Sequence, residues 1–173
     1  YCAVLRLGDL QPNTRYYYRV LVNGKVDDYQ QNRAPLTAHT APAKGTAVSF
    51  HIAFGTCARF QRDRIQKIWN VIGDWKPDLF FWLGDNIYGD TLDSDILAEE
   101  YRRQRDLPHI LSFLANVPQL SIWDDHDYGI NNSGRTNPIK EDALEVFKLY
   151  WPNPSYGLPE VPGVFFKYSY GGV

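Results

Sequence analysis

Asp78-Leu79-Phe80-Phe81-Trp82-Leu83-Gly84-Asp85-Asn86-Ile87-Tyr88 is the stretch on which the reading of this chain turns. Five apolar residues in a row, bracketed by acids, predict a strand buried on both faces, the pattern of a parallel sheet. Gly84 lets the chain turn sharply as it leaves that strand. Asp85 then projects a hard oxygen donor from a rigid base, and Tyr88, three residues on, can turn back toward the same point.

Working outward, Val48, Phe50, Ile52 and Phe54 alternate with Ser49, His51 and Ala53 in a strand that stops at Gly55. Ile65, Ile68, Trp69 and Ile72 follow at helical spacing. Downstream, Ser94 is placed to cap a helix through about Gln104, and Leu107, Ile110, Leu111 and Leu114 mark another. Gln119 to Trp123 reads as a third strand. Asn137-Pro138 has the cap-then-proline pattern of a helix start, with Leu144, Phe147 and Trp151 on one side. Val164 to Tyr170 reads as a final strand, and Gly171-Gly172-Val173 as a turn after which the chain is expected to continue. The order strand, helix, strand, helices, strand predicts an α/β core with a mainly parallel sheet. Ligands gather beyond the carboxyl ends of such strands.

Residues 1 to about 40 are different. Val4 to Leu10 lead into the turn cluster Pro12-Asn13-Thr14, and the tyrosine-rich run 16–21 precedes Asn23-Gly24, a hairpin signal. Leu10 to Tyr16 resembles the tyrosine corner of fibronectin type III and immunoglobulin-like sandwiches. Residues 1–43 are therefore expected to form the last strands of a β-sandwich, and 44–173 the α/β unit. The 173 residues carry a net charge of -2 with scattered cations. That excludes a basic nucleic-acid stripe, and no apolar run approaches the roughly 20 residues of a membrane-spanning helix.

The chemistry-bearing residues fall at the predicted strand ends. Cys57 and Arg59 follow the first strand, Asp85 and Tyr88 the second, and Asp124-Asp125-His126-Asp127 the third. A thiolate suits iron or zinc, and a guanidinium fork suits phosphate oxygens. Three acids around one histidine repel one another unless a cation lies among them. His126 is suited to ligation or to donating a proton to a leaving group. Asp90, Asp93 and Asp95 read as a cap-rich loop, with a calcium site as the alternative. Cys57 as a cysteine nucleophile is a rival reading, and a non-catalytic binding sandwich joined to a degenerate α/β domain is another.

Phe54-Gly55-Thr56-Cys57, Leu83-Gly84-Asp85-Asn86-Ile87-Tyr88-Gly89-Asp90 and Ile122-Trp123-Asp124-Asp125-His126-Asp127-Tyr128-Gly129 resemble the alkaline phosphatase D (PhoD-like) family of calcineurin-like metallophosphatases. The resemblance covers roughly residues 47–173. It implies a partial metallophosphatase core that hydrolyses phosphate monoesters or diesters with a hydroxide held between two metal ions. It further implies iron with calcium as the metals, phosphate esters as substrates, and an extracellular, periplasmic or cell-surface location. Cys57, Asp85, Tyr88 and Asp125 take the positions of metal ligands. His126 takes that of the histidine facing the scissile phosphate, with Arg59 as a phosphate clamp. Asp124, Asn86 and Asn132 are expected to support these groups from behind, Asp124 by orienting His126.

Overall fold

A computed structural model describes residues 2–28 and 30–173. Its centre is a three-stranded parallel sheet of β5 (Ile52–Gly55), β6 (Leu79–Leu83) and β7 (Gln119–Ile122), in that order. The register pairs Ala53 with Phe80 and Gln119, and Gly55 with Trp82 and Ser121, so these residues share one face. That face is covered by helices. Trp69 of α1 (Ile68–Asp74) lies 4.9 Å from the Trp82 ring and 6.1 Å from Phe80. Phe113 of α3 (Pro108–Asn116) meets Phe80 at 5.0 Å, and Trp151 meets Trp82 at 5.0 Å. Offset and edge-on aromatic pairs of this kind add to the burial of their large apolar areas. α2 (Ser94–Arg105) and α5 (Lys140–Tyr150) complete the layer, with Leu97, Tyr101 and Phe147 fully buried.

The other face departs from the expectation of burial on both sides. Leu79 and Leu120 are buried there, but Ile52, Leu83 and Ile122 are exposed, and Phe54 is 70% exposed. All described helices that meet the sheet through the aromatic cluster lie on one side. The apolar run therefore marked the strand correctly without fixing how many faces are covered.

Other boundaries also shift. Ile65 precedes α1, and Ile68 points outward, because the inward side is taken by Trp69 and Ile72. The cap of α2 is Asp93, whose carboxylate accepts from Asp95 N and Ile96 N, and not Ser94. α5 begins at Lys140 because the Asn137 side chain is used locally, accepting from Ile139 N and donating to the Tyr128 carbonyl. Residues 164–170 form no strand. Among the described residues the ladder nearby is the short pair β8 (Gly157–Leu158) and β9 (Val161–Pro162).

In the first region β1 (Arg15–Tyr18) pairs antiparallel with β4 (Leu36–His39). β2 (Leu21–Val22) and β3 (Lys25–Val26) form a hairpin turned by Asn23 and Gly24, both at positive φ as a tight hairpin turn requires. The Tyr16 hydroxyl accepts from Gln11 N at 2.8 Å, a tyrosine tied to backbone five residues upstream. Among the described residues two packed sheets are not formed, and residues 4–8 join no ladder. The β1–β4 pair leans instead on the end of α3: Tyr18 donates to the Ala115 carbonyl, and Thr37 N donates to Asn116 Oδ1. Among the described residues, no helix is long and apolar enough to cross a membrane.

Candidate metal centre

The three parallel strands end side by side, and their loops are locked together. Thr56 Oγ1 donates to the Gly84 carbonyl at 2.8 Å, and Ala58 N donates to the Asp85 carbonyl at 3.0 Å. Gly84 has φ +98, and a Cβ there would sit 2.8 Å from Asp124 Cβ and 3.1 Å from Asp124 N. Only glycine lets β6 and β7 come this close. Cys57 and Asp85 themselves adopt φ of +58 and +49. This left-handed conformation costs about 1–2 kcal/mol per residue, and it persists where surrounding bonds fix it.

The acidic cluster divides into separate roles. Residues 125–128 form a one-turn helix, α4 (Asp125–Tyr128), with Asp124 as its cap. Asp127 is fully buried. Its Oδ1 accepts from Ile87 N at 3.0 Å and from the Tyr101 hydroxyl, and its Oδ2 from Asp124 N at 2.9 Å and Asn86 Nδ2 at 3.3 Å. Burial lifts its carboxyl to about 7, against the backbone bonds that act to lower it. Asn86, also fully buried, donates to Ser121 Oγ and the Ile122 carbonyl. These two residues brace the β6 and β7 loops against each other.

What remains converges. Asp85, Asp125 and His126 each offer a ligand atom, all within 4.8 Å of one another. Cys57 Sγ lies 3.5 Å from Asp85 Oδ2, and the Tyr88 hydroxyl 3.2 Å from the same oxygen. The thiol is exposed, unlike an inert core cysteine. The Tyr88 ring sits 4.3 Å from the His126 ring, and the Arg59 guanidinium 4.7 Å from the Tyr88 centroid. Burial first, then Cys57 and Asp85, hold the Tyr88 phenol well above its ordinary value. Burial alone would lower His126, but its bond to Asp90 at 2.5 Å, with the charges of Asp90, Asp125 and Asp85, raises it.

The donor set fits a cation on two counts. Asp85 Oδ1 is buried and has no hydrogen-bond partner, and such an atom costs about 1–3 kcal/mol unless something satisfies it. The Asp125 carboxylate and His126 imidazole come within 4.8 Å of an Asp85 ligand atom, and the Tyr88 phenol and Cys57 thiol reach the other Asp85 oxygen, Oδ2; a cation among them relieves the repulsion of the acids.

No family model and no curated protein matches this chain. Among solved structures, "Structure of PhoD" matches 94% of this chain with a TM-score of 0.70 at 21% identity. The chain has the fold of PhoD. It spans 36% of the PhoD chain, so it corresponds to about a third of that protein.

Of the residues singled out in the sequence, Cys57, Arg59, Asp85, Tyr88, Asp125 and His126 are brought together. Three others stand differently. Asp90, rather than Asp124, is bonded to the His126 imidazole; the Asp124 side chain accepts from Asp125 N at the start of α4. Asn132 offers Asp125 Oδ2 its backbone N–H and not its side chain. Asn86 lies beneath Asp85 as a brace. Asp127 was legible in principle, since Asp124 and Asp127 form a capping box. Asp90 carried no spacing signal. The Cys57 thiol neighbours Thr56, Asp85 and Tyr88, and among the described residues no histidine bonds to it, so the histidine base of a cysteine nucleophile is not in place.

Proposed function

We propose that this chain carries the phosphate-facing part of a metal-dependent phosphoesterase that hydrolyses phosphate monoesters or diesters. The reading rests on one observation: Asp85, with an unsatisfied buried oxygen, meets Asp125 and His126 at the carboxyl ends of parallel strands in a PhoD fold. Cys57, Asp85, Tyr88 and Asp125 would hold cations, the thiol and phenol favouring iron and the carboxylates favouring calcium. Cations bound there supply charge neutralisation at phosphoryl oxygens and an acidified water as nucleophile.

The chain's own groups do the rest. His126 is held in orientation by Asp90, which also favours its protonated form, so it can donate a proton to the leaving oxygen. Arg59, exposed above Tyr88, can swing its fork onto the equatorial phosphoryl oxygens. The exposed position of Cys57 leaves the centre open to substrate. An extracellular, periplasmic or cell-surface location is part of the same proposal, and it rests on the sequence resemblance.

The test is metal binding first and turnover second. The metal-stripped protein is titrated with iron, calcium and manganese, and Asp85→Asn is titrated beside it. Asp85→Asn should lose tight binding and, with it, hydrolysis of aryl phosphate mono- and diesters. An Asp85→Asn protein that binds cations as tightly as the parent removes the basis of the proposal.

A further inference from the structure

α1 has two apolar sides. Trp69 enters the core, but Ile68, Val71 and Trp75 face solvent, as does Ile65 just before the helix. Positions 68, 71 and 75 recur at i, i+3, i+7, one stripe on a helix surface. Trp75 is 84% exposed, the highest value of any large hydrophobic among the described residues.

Cations flank this stripe. Arg62, Arg64, Lys67 and Lys76 are all exposed, and none forms an ion pair among the described residues. On the other helices Arg102, Arg103 and Lys148 pair with Glu99, Glu100 and Glu145. The acids within the stretch are Asp63 and Asp74, and the Asp63 carboxylate is occupied by Ile65 N and Gln66 N. Exposed aliphatics, a solvent-facing tryptophan and unpaired cations side by side match the chemistry of an anionic lipid surface, with Trp at the headgroup level and cations on phosphates.

We propose that residues 62–76 form a docking surface for an anionic lipid bilayer. Charge complementarity selects this occupant. A second copy of the chain would bring the same basic face against itself, because a two-fold interface uses one patch twice.

Vesicle sedimentation tests it. The purified chain is mixed with phosphatidylcholine vesicles carrying roughly 30% phosphatidylglycerol, and separately with phosphatidylcholine alone. It should pellet with the anionic vesicles, and Trp75 emission should shift to the blue. Raising salt from ~0.1 M to ~1 M, which shortens the screening length from about 10 Å to about 3 Å, should release it. Each removed cation should weaken binding about five-fold, so Arg64→Gln/Lys67→Gln should weaken it roughly 25-fold. Trp75→Ser should remove the spectral shift while near-ultraviolet circular dichroism stays that of the parent, because the replaced side chain is outside the core. Absence of binding to anionic vesicles, equal binding to neutral ones, or an unaffected double variant overturns the proposal. So does a concentration-dependent dimer that Trp75→Ser dissolves in a chain that ignores vesicles, which would assign the face to a second copy.

Discussion

Replacing Gly84 by alanine should be among the most damaging single-methyl changes available in this chain. Its φ of +98 is a conformation that L-residues avoid, at about 1–2 kcal/mol. The new Cβ would also lie 2.8 Å from Asp124 Cβ and 3.1 Å from Asp124 N. Asp124 N cannot retreat freely, because it is bonded to the buried Asp127 carboxylate. Overpacking against such a wall costs about 1–3 kcal/mol. The sum is about 2–5 kcal/mol, which for a chain of this size lowers the melting temperature on the order of 10 °C. Thermal denaturation followed by far-ultraviolet circular dichroism reads this directly. Gly73→Ala is the internal control: it lies in α1 with ordinary φ and nothing within 4 Å of its added Cβ. It should be neutral or stabilising by up to about 1 kcal/mol. If Gly84→Ala melts within ~2 °C of the parent, β6 and β7 do not approach as closely as described and the account of the loop contact is wrong.

Asp127→Ala should destabilise the fold by about 3–5 kcal/mol in urea denaturation, because it strands Ile87 N and weakens the bonds of Asp124 N and the Tyr101 hydroxyl; a loss under ~1 kcal/mol would deny it the bracing role. Asp90→Asn should remove the upward shift of His126. A histidine raised in the folded state adds stability that is full below its unfolded value of about 6.5 and fades as pH climbs through the folded value. The parent should therefore exceed Asp90→Asn in denaturation midpoint at mildly acid pH, with the gap closing on the alkaline side, in metal-free protein. A gap that widens with rising pH would contradict the assigned bond. Tyr16→Phe should cost about 0.5–1 kcal/mol through the lost Gln11 contact, measured by the same denaturation.

The sequence carried the parts of this structure that depend on local chemistry. The apolar run 79–83 and the alternation before Gly55 located β6 and β5, and Asn23-Gly24 located a hairpin turn, because each pattern constrains its own backbone. The group Cys57, Asp85, Tyr88, Asp125 and His126 was also visible, since parallel topology forces successive strand ends onto one edge. What stayed hidden depends on partners distant in sequence. Asp90 looked like one more loop acid, and only the fold brings it to His126, 36 positions on. Burial of a sheet face depends on what covers it, so Phe54 and Leu83 looked like core and are exposed. Val164 to Tyr170 had strand composition, but a strand is defined by its neighbour, and the single bond from Gly157 N to the Phe165 carbonyl builds no ladder. The tyrosine-corner resemblance held for the Tyr16 contact.

Asp127 touches neither of the groups that would face a substrate, yet it grips the loop after β6 through Ile87 and the loop after β7 through Asp124. The separation of Asp85 from Asp125 and His126 is thus fixed from underneath. Change among the upper residues can retune which ion or ester is preferred while the spacing of the two loops stays put. Loss of this one hidden acid would let both loops drift at once, whatever the quality of the ligands above.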